Sequence, residues 1–350
     1  MKIIYSTVIL FSLLGTSILL GNTNLLIIEK KVIEKSFSVN SDAELRISNR
    51  YGNINLTSWD KNTVAFYIEI KIDGKDTRQV KEKINAISID FTSSKSLVTA
   101  ETIIKKISGK NKTNIEINYT VKLPKSNNIT INNRYGDIIL NELNGSSKIS
   151  LDYGNIKFGN LNNSLNTWDL DYVSKAEVQY MKTALINADY SNLIIENSEI
   201  LNLTLDYTNV KIGKVKDVIN NMDYGNIKIG EVSTITNISD YTTVFVGKLT
   251  NSFVSTGDYG SIKIEYVKPN FNKISIGADY SDVNIGIDKN AGYSISGNFK
   301  YGGLKYPDNV KMTRQIEKNT TKSYEGECEN SSSKILINMN YGSATIKTVN

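Results

Sequence analysis

The chain has 350 residues, with 41 Lys and Arg against 36 Asp and Glu, a net charge of +5 at pH 7, and no His. The lack of His excludes Ser-His-Asp and Cys-His catalysis and His-ligated zinc. The lone cysteine, Cys328, excludes an internal disulfide. Basic and acidic residues are interspersed without a basic stripe, so we predict no nucleic-acid partner.

Residues 1–21 are predicted to be a signal peptide. One Lys precedes an apolar run from Ile3 to Leu20, and small residues such as Gly15 and Gly21 offer cleavage points. The run is near the lower length limit for spanning a bilayer, so an uncleaved anchor is the alternative. No further span is predicted, and we expect export to the periplasm, the cell surface or the extracellular space.

Residues 28–126 are predicted to form an N-terminal cap with the first repeat and a strand-helix-strand insertion. The strand TVAFYIEIKI is followed by DGKDTRQVKEKINAI, in which Val80, Ile84 and Ile87 share one helical face and Asp76 or Thr77 is the N-cap. The strands AISIDF, SLVTAETII and NIEINYTVKLP follow. We expect this β-rich elaboration to cover the open end of the repeat array.

Residues 127–350 repeat one short phrase, as in LDYGNIKFG, LDYTNVKIG and MDYGNIKIG. Apolar residues two and four positions before the tyrosine, and a second alternation after it, indicate two strands joined at a sharp corner. The Gly, Ser or Thr after the tyrosine is expected to supply the turn geometry with φ above zero. An Asp often precedes the tyrosine. Including one copy near the N-terminus, the tyrosines of the phrase are Tyr51, Tyr135, Tyr153, Tyr172, Tyr190, Tyr207, Tyr224, Tyr241, Tyr259, Tyr280, Tyr301 and Tyr341.

The spacing of most copies, 17 to 21 residues, identifies the architecture. It is too short for a strand with a crossover helix, which needs roughly 30 residues. It fits one coil, or rung, of a stack. We predict an all-β chain, a single-stranded parallel β-helix or β-solenoid of about 11–12 rungs stacked about 4.8 Å apart. The tyrosines are predicted to form a structural ladder, because an active site needs one set of groups and not one in every rung.

A second interruption, at about 306–334, is polar and mostly aperiodic. We interpret it as a long loop or a mobile hairpin before a last rung, SSKILINMNYGSATIKTV. Cys328 lies in this stretch and is interpreted as an incidental thiol.

Arg50 and Arg134 stand before the tyrosine in two rungs where later rungs have Asp. If these rungs are adjacent, the two guanidinium groups stack. They then form either a small anion site or a terminal charge adjustment against Asp137 and Asp152.

Several passages resemble the DUF4097 family of proposed adhesins, which are secreted bacterial proteins familiar in Bacteroidetes. They are SFSVNSDAELRISNRYGNINLTSWDKNTV, YTVKLPKSNNITINNRYGDI and the run of DYGNI copies, and the resemblance extends from about Ser36 to Val349. It implies a β-solenoid with an envelope or extracellular address and supplies no catalytic residues. Two departures are Lys175, which stands where other copies have Ile or Val, and the Ser and Thr residues that replace the corner Gly.

The predicted function is a non-enzymatic, adhesin-like interaction or structural module whose partners are surface glycans or envelope proteins. We predict no catalytic residues, cofactor or metal site, and the glycine-rich nonapeptide of calcium-binding β-rolls is absent. One alternative is a polysaccharide lyase or hydrolase, which needs a local cluster such as two carboxylates about 5–10 Å apart. The other is an envelope scaffold or signalling accessory without a ligand of its own.

Overall fold

In a computed structural model, the structure describes residues 26–106, 112–329 and 332–350. The predicted signal peptide, 1–21, lies outside the described residues. The chain divides into two compact units, one ending at Asn166 and the other beginning at Thr167. Within the described ranges there are 22 strands and one helix. In both units the strands stack mainly in parallel and in register, which confirms the predicted all-β solenoid.

The elements of the first unit are as follows: β1 (Ile27–Ser38), β2 (Glu44–Arg50), β3 (Ile54–Trp59), β4 (Thr63–Gly74), α1 (Thr77–Asn85), β5 (Ile87–Ser93), β6 (Leu97–Ile104), β7 (Thr113–Pro124), β8 (Asn128–Arg134), β9 (Ile138–Leu143) and β10 (Ser147–Leu161). Those of the second are β11 (Asn166–Asp189), whose first residue belongs to the first unit, β12 (Asn192–Asp206), β13 (Asn209–Asp258), β14 (Ser261–Val267), β15 (Lys273–Asp279), β16 (Asp282–Asp288), β17 (Tyr293–Lys300), β18 (Gly303–Lys305), β19 (Lys311–Lys318), β20 (Thr321–Cys328), β21 (Lys334–Asn340) and β22 (Ser343–Val349).

In the first unit, rungs far apart in sequence are neighbours in space. β2 pairs in parallel with β8, and β8 pairs in parallel with β10. The same holds on the other side of the corner, where Ile54, Ile138 and Ile156 form one buried column. The core therefore lies inside the coils, where the apolar residue of each rung packs on its counterpart in the next.

The predicted N-terminal elaboration is present, with its short helix. β6 and β7 pair in parallel with β2 and β3, and β4, β1 and β5 extend these pairings with antiparallel strands. The side chain of Asp76 caps α1 by accepting a hydrogen bond from the Gln79 amide at 3.0 Å, and Val80 and Ile84 are buried. This layer covers the edge of the first rung, which would otherwise expose unpaired backbone groups.

In the second unit, the order of rungs in space departs from the order in sequence. β21 pairs in parallel with both β15 and β17, so the rung of Tyr341 lies between the rungs of Tyr280 and Tyr301. The interpretation of Tyr341 as the last rung of the stack is therefore wrong. The outermost rung is that of Tyr301, and the final strands fill the space beneath it.

Residues 306–334, interpreted as a loop or mobile hairpin, contain the antiparallel hairpin β19–β20. Its turn consists of Asn319 and Thr320, with Asn319 at φ 47°. β20 also pairs antiparallel with β17, so the hairpin covers one edge of the Tyr301 rung. The polar composition reflects the exposure of β19, in which no residue is buried.

The corners differ from the prediction in one respect. The left-handed backbone conformation belongs to the tyrosine itself, with φ between 48° and 66° at all twelve positions. The next residue is constrained by close approach instead: a Cβ on Gly136 would lie 2.0 Å from the Gly52 carbonyl oxygen. Where Ser or Thr occupies this place, its hydroxyl donates to the carbonyl two residues earlier, as Ser191 does to Asp189 at 2.8 Å.

The expectation that Lys175 takes an inward position is also wrong. Ala176 pairs in register with Leu193, so the Tyr172 corner holds one extra residue and Ala176 points inward. Lys175 is half exposed, and its Nζ lies 2.9 Å from Glu177 Oε2. The charged side chain thus stays in water and avoids the free-energy cost of burying a charge.

We expect Gly136→Ala to destabilise the protein by about 1–3 kcal/mol, because the added methyl group cannot fit against the backbone of the neighbouring rung. Gly277→Ala is the matched control, since the nearest atom to its new Cβ lies 3.7 Å away, and it should change stability by no more than about 0.5 kcal/mol. Urea denaturation of both variants measures the difference. Equal effects would contradict the close-approach explanation.

Candidate functional site

Within each unit, the tyrosines of the repeat stack into a column, which we call the tyrosine ladder. In the first unit the ring centroids of Tyr51 and Tyr135 are 5.6 Å apart, and those of Tyr135 and Tyr153 are 5.2 Å apart. In the second unit neighbouring rings lie 4.7–5.1 Å apart and nearly parallel, in the order Tyr172, Tyr190, Tyr207, Tyr224, Tyr241, Tyr259, Tyr280, Tyr341 and Tyr301.

Stacking determines which part of each ring a ligand can reach. The side chains are 37–51% exposed, but within the column the ring faces cover one another and the edges point to solvent. A sugar or another flat ligand needs an open ring face. The ladder is therefore a stabilising device along the corner, with little surface suited to recognition.

The residue before each tyrosine forms a second column, the aspartate ladder. In the second unit its members are Asp171, Asp189, Asp206, Asp223, Asp240, Asp258 and Asp279, and it ends with Asn340 and Lys300. Carboxylates accept hydrogen bonds from the backbone of the next rung. The amide of Asp258 donates to Asp240 Oδ1 at 2.8 Å, and the amide of Asp279 donates to Asp258 Oδ1 at 3.0 Å.

Repetition of a like charge has an electrostatic cost. Burial, followed by the neighbouring carboxylates of Asp189 and Asp223, raises the pKa of Asp206. In the aspartate ladder, the repulsion between neighbouring carboxylates is therefore offset by the hydrogen bonds that they accept from backbone amides. Its last two members, Asn340 and Lys300, replace the carboxylate with a neutral amide and then with a cation.

The structure brings the two predicted arginines together. Arg50 pairs in register with Arg134, and Arg134 pairs in register with Asp152. The Arg134 Nε lies 3.1 Å from Asp152 Oδ2, and the Arg134 guanidinium also lies 5.4 Å from the Tyr135 ring centroid. This geometry supports the charge-adjustment interpretation, because an anion would have to compete with Asp152. An anion site at this pair stays a prediction.

The described part of the second unit contains a groove of about 830 Å³ on the outer side of the rungs. Its floor belongs to β13, β15, β21 and β17, and the hairpin β19–β20 contributes Ile316 and Lys322. Asp240, Asp258 and Asp279 of the aspartate ladder line it together with Lys300. The groove was not predicted from the sequence, since it depends on the hairpin and on the displaced rung order.

A second, smaller depression of about 320 Å³ surrounds Lys214 and Glu231. Glu231 contacts Lys214 at 3.0 Å and Lys248 at 3.3 Å, and these bonds hold the pKa of its carboxyl low. Because the charges here already neutralise one another, the groove is the stronger candidate site.

Cys328 lies buried at the end of β20, where the Asn309 side-chain amide contacts its Sγ at 3.2 Å. Burial raises the pKa of the thiol, which keeps it protonated and unreactive.

Two kinds of feature are absent from the described ranges. No group of three or more His, Cys, Asp or Glu side chains there is arranged to hold a metal ion. No helix in the same ranges is both long and apolar enough to cross a bilayer.

No protein-family model matches the chain, and no curated protein matches it either. Several solved structures are similar. A proposed cell-adhesion protein from Clostridium sporogenes is 12% identical, with 92% of this chain and 100% of that one covered and a TM-score of 0.21. A proposed adhesin from Bacteroides fragilis is 13% identical, with 90% and 97% covered and a TM-score of 0.28. A proposed lipid-binding protein from Parabacteroides distasonis is 11% identical, with 90% and 96% covered and a TM-score of 0.29. Scores this low establish no functional correspondence, and membership of the DUF4097 family stays a prediction.

We expect Tyr224→Ala to lower the free energy of unfolding by about 1–3 kcal/mol, because it removes two stacked ring pairs. Tyr67→Ala is the control: Tyr67 is 44% exposed, close to the 45% of Tyr224, but lies outside the ladder. Its loss should cost less than about 1 kcal/mol. Urea midpoints of the two variants decide the matter, and a larger effect at Tyr67 would refute the stabilising role of stacking.

We expect Asp206→Asn to raise the melting temperature at pH 7. The folded chain binds a proton at Asp206 at higher pH than the unfolded chain, so this group favours folding as the pH falls through its raised pKa and opposes folding above it. The variant should therefore show a weaker gain in stability between pH 7 and pH 4. Thermal unfolding across this range tests it, with the exposed Asp308→Asn as control.

Proposed function

We propose that this protein is a non-enzymatic, adhesin-like interaction module of the cell envelope or the extracellular space, and that the groove binds an extended polymer. The observation that carries the proposal is the groove itself, an open channel of about 830 Å³ across several consecutive rungs. An open channel on a stack of strands suits a chain-like ligand better than a compact one.

The floor of the groove is rigid. Its strands are paired on both sides with neighbouring rungs, as β15 is with β13 and β21. Ala278, Phe299 and Met339 point inward beneath it and are buried. A preformed surface loses little conformational entropy on binding, which favours recognition by side chains.

The carboxylates of the groove suit binding better than catalysis. Asp240 and Asp258 already accept backbone hydrogen bonds from the next rung, and members of the same column recur outside the groove. Acid–base catalysis by two carboxylates requires environments that push their pKa values apart, whereas the aspartate ladder gives its members similar surroundings.

Export is part of the proposal and rests on residues 1–21, which have the composition of a secretory signal. The candidate partners are glycans or proteins of an envelope, since these present extended polymers to an exported protein.

A blocking substitution tests the groove. We expect Gly277→Trp to fold normally, because a Cβ at Gly277 has its nearest neighbour 3.7 Å away, and to fill the groove with its indole. Thr204→Trp is the control: it stands at the same place relative to its ladder aspartate, but outside the groove. Retention on a panel of immobilised envelope polysaccharides should fall at least about tenfold for Gly277→Trp and stay unchanged for the control.

The same panel tests the absence of catalysis. We expect no new reducing ends or unsaturated products when the protein is incubated with any polymer that it retains. Depolymerisation that disappears when one groove carboxylate is substituted would overturn the proposal in favour of an enzyme. Retention that is equal for both tryptophan variants would place binding elsewhere.

A further inference from the structure

We propose that the groove selects a zwitterionic oligosaccharide, one that carries a free amine on one sugar and a carboxylate on another. This rests on the proposed function, because it specifies the ligand of the same site. It follows from the distribution of charge and of hydrogen-bonding side chains along the groove.

Charge along the groove changes sign. Asp240, Asp258 and Asp279 line one part of it, and the same column continues through neutral Asn340 to Lys300. Asp279 and Lys300 are separated by two strand spacings, or about 10 Å at roughly 4.8 Å each. A ligand lying along the stack therefore meets carboxylates first and an ammonium group next, and a complementary ligand has its own charges in the opposite order.

Lys300 is the cation of the positive part of the groove. Lys322 of the hairpin pairs in register with Phe299, so its side chain lies on the Phe299 face of the sheet, where its Nζ forms an ion pair with Glu317 Oε2 at 3.6 Å. Lys300 Nζ lies 5.6 Å from the Tyr301 ring centroid. The Lys300 ammonium group is therefore the cation that an anionic group of a ligand meets at this end of the groove.

A second row of floor residues stands two positions before the members of the aspartate ladder and carries no charge. Asn298 and Asn338 lie side by side in it, and the Asn298 Nδ2 donates to Asn338 Oδ1 at 3.0 Å. Ser323 of the hairpin donates in turn to Asn298 Oδ1 at 3.0 Å. Amides and hydroxyls fixed in such a network suit the many hydroxyl groups of a sugar, which both donate and accept.

The backbone of the floor argues against a peptide ligand. Peptides commonly bind by adding a strand to a free sheet edge, where main-chain groups pair. Here the floor strands have both edges paired with neighbouring rungs, so their amides and carbonyls are occupied. Recognition must come from side chains. Ile238, which is 56% exposed, adds an apolar contact for the C–H face of a sugar ring.

The experiment uses three tetrasaccharides and the full exported chain. The zwitterionic probe is de-N-acetylated hyaluronan tetrasaccharide, in which free amines alternate with carboxylates. The anionic probe is hyaluronan tetrasaccharide, and the cationic probe is chitosan tetrasaccharide. Calorimetry at low and at high salt should show the zwitterionic probe binding at least about tenfold more tightly than either of the others, with an advantage that shrinks as salt screens the charges.

Charge-removing variants identify the residues. We expect Asp258→Asn combined with Asp279→Asn to weaken binding of the zwitterionic probe about tenfold, and Lys300→Gln to have a similar effect. The Asn substitutions keep the Oδ1 acceptor, and Asn340 already occupies this column, so the fold should be retained. Asp206→Asn, in the same ladder but outside the groove, should leave the affinity unchanged.

Two outcomes would overturn the inference. One is equal binding of the three tetrasaccharides with no effect of the charge variants. If Gly277→Trp still abolished binding in that case, the groove would remain a polymer site and the proposed function would survive. The other is binding of the zwitterionic tripeptide Lys-Ala-Glu as tightly as the sugar, which would show that charge alone is recognised.

Discussion

The structure depends on the backbone conformation of one repeated residue. Each rung turns at a tyrosine held in the left-handed region, at a cost of roughly 1–2 kcal/mol for a residue with a side chain. A tyrosine ring stacked 4.7–5.1 Å away in the second unit stabilises the folded state by about 0.5–1.5 kcal/mol per pair, in addition to the contribution of the apolar area that it buries. The two quantities are similar in size, so the corner is tolerable only where rungs stack. A single isolated rung would carry the strain without the compensation, which explains why the phrase occurs in long runs.

The same stacking dictates the neighbours of the tyrosine. Because rungs lie in register, the residue before it meets its own counterpart above and below, and the carboxylate of one aspartate reaches the amide of the next. The residue after it meets the backbone of the next coil, which favours glycine or a hydroxyl that can bond locally. The Asp-Tyr-Gly phrase is thus one solution to three constraints of a single corner, and it has no need of a ligand to explain it.

The solenoid could be inferred from the sequence because its signal is local and repeated. Alternation on both sides of Tyr207 or Tyr224 indicates strands whatever the rest of the chain does. The order of the rungs could not be inferred in the same way, because the phrase around Tyr341 is compatible with any place in the stack and only pairing with β15 and β17 locates it. The groove was invisible for the same reason, since Gly277, Asn338 and Lys322 come from segments whose proximity is a product of that order. Lys175 shows a third kind of limit, in which one extra residue at a corner shifts the inward position to Ala176.

The displaced rung also constrains how this chain can assemble. Solenoids whose coils follow sequence order can grow from one end as they emerge, each coil docking on the last. Here one edge of β15 stays unpaired until β21 has been synthesised, and β21 lies 61 residues further along the chain. β17, the strand of the outermost rung, is synthesised before β21 and cannot take up its final parallel pairing until β21 has been made. The closing contacts of the second unit are therefore long-range ones, and this unit cannot complete its strand pairing until β21 and β22 have been synthesised.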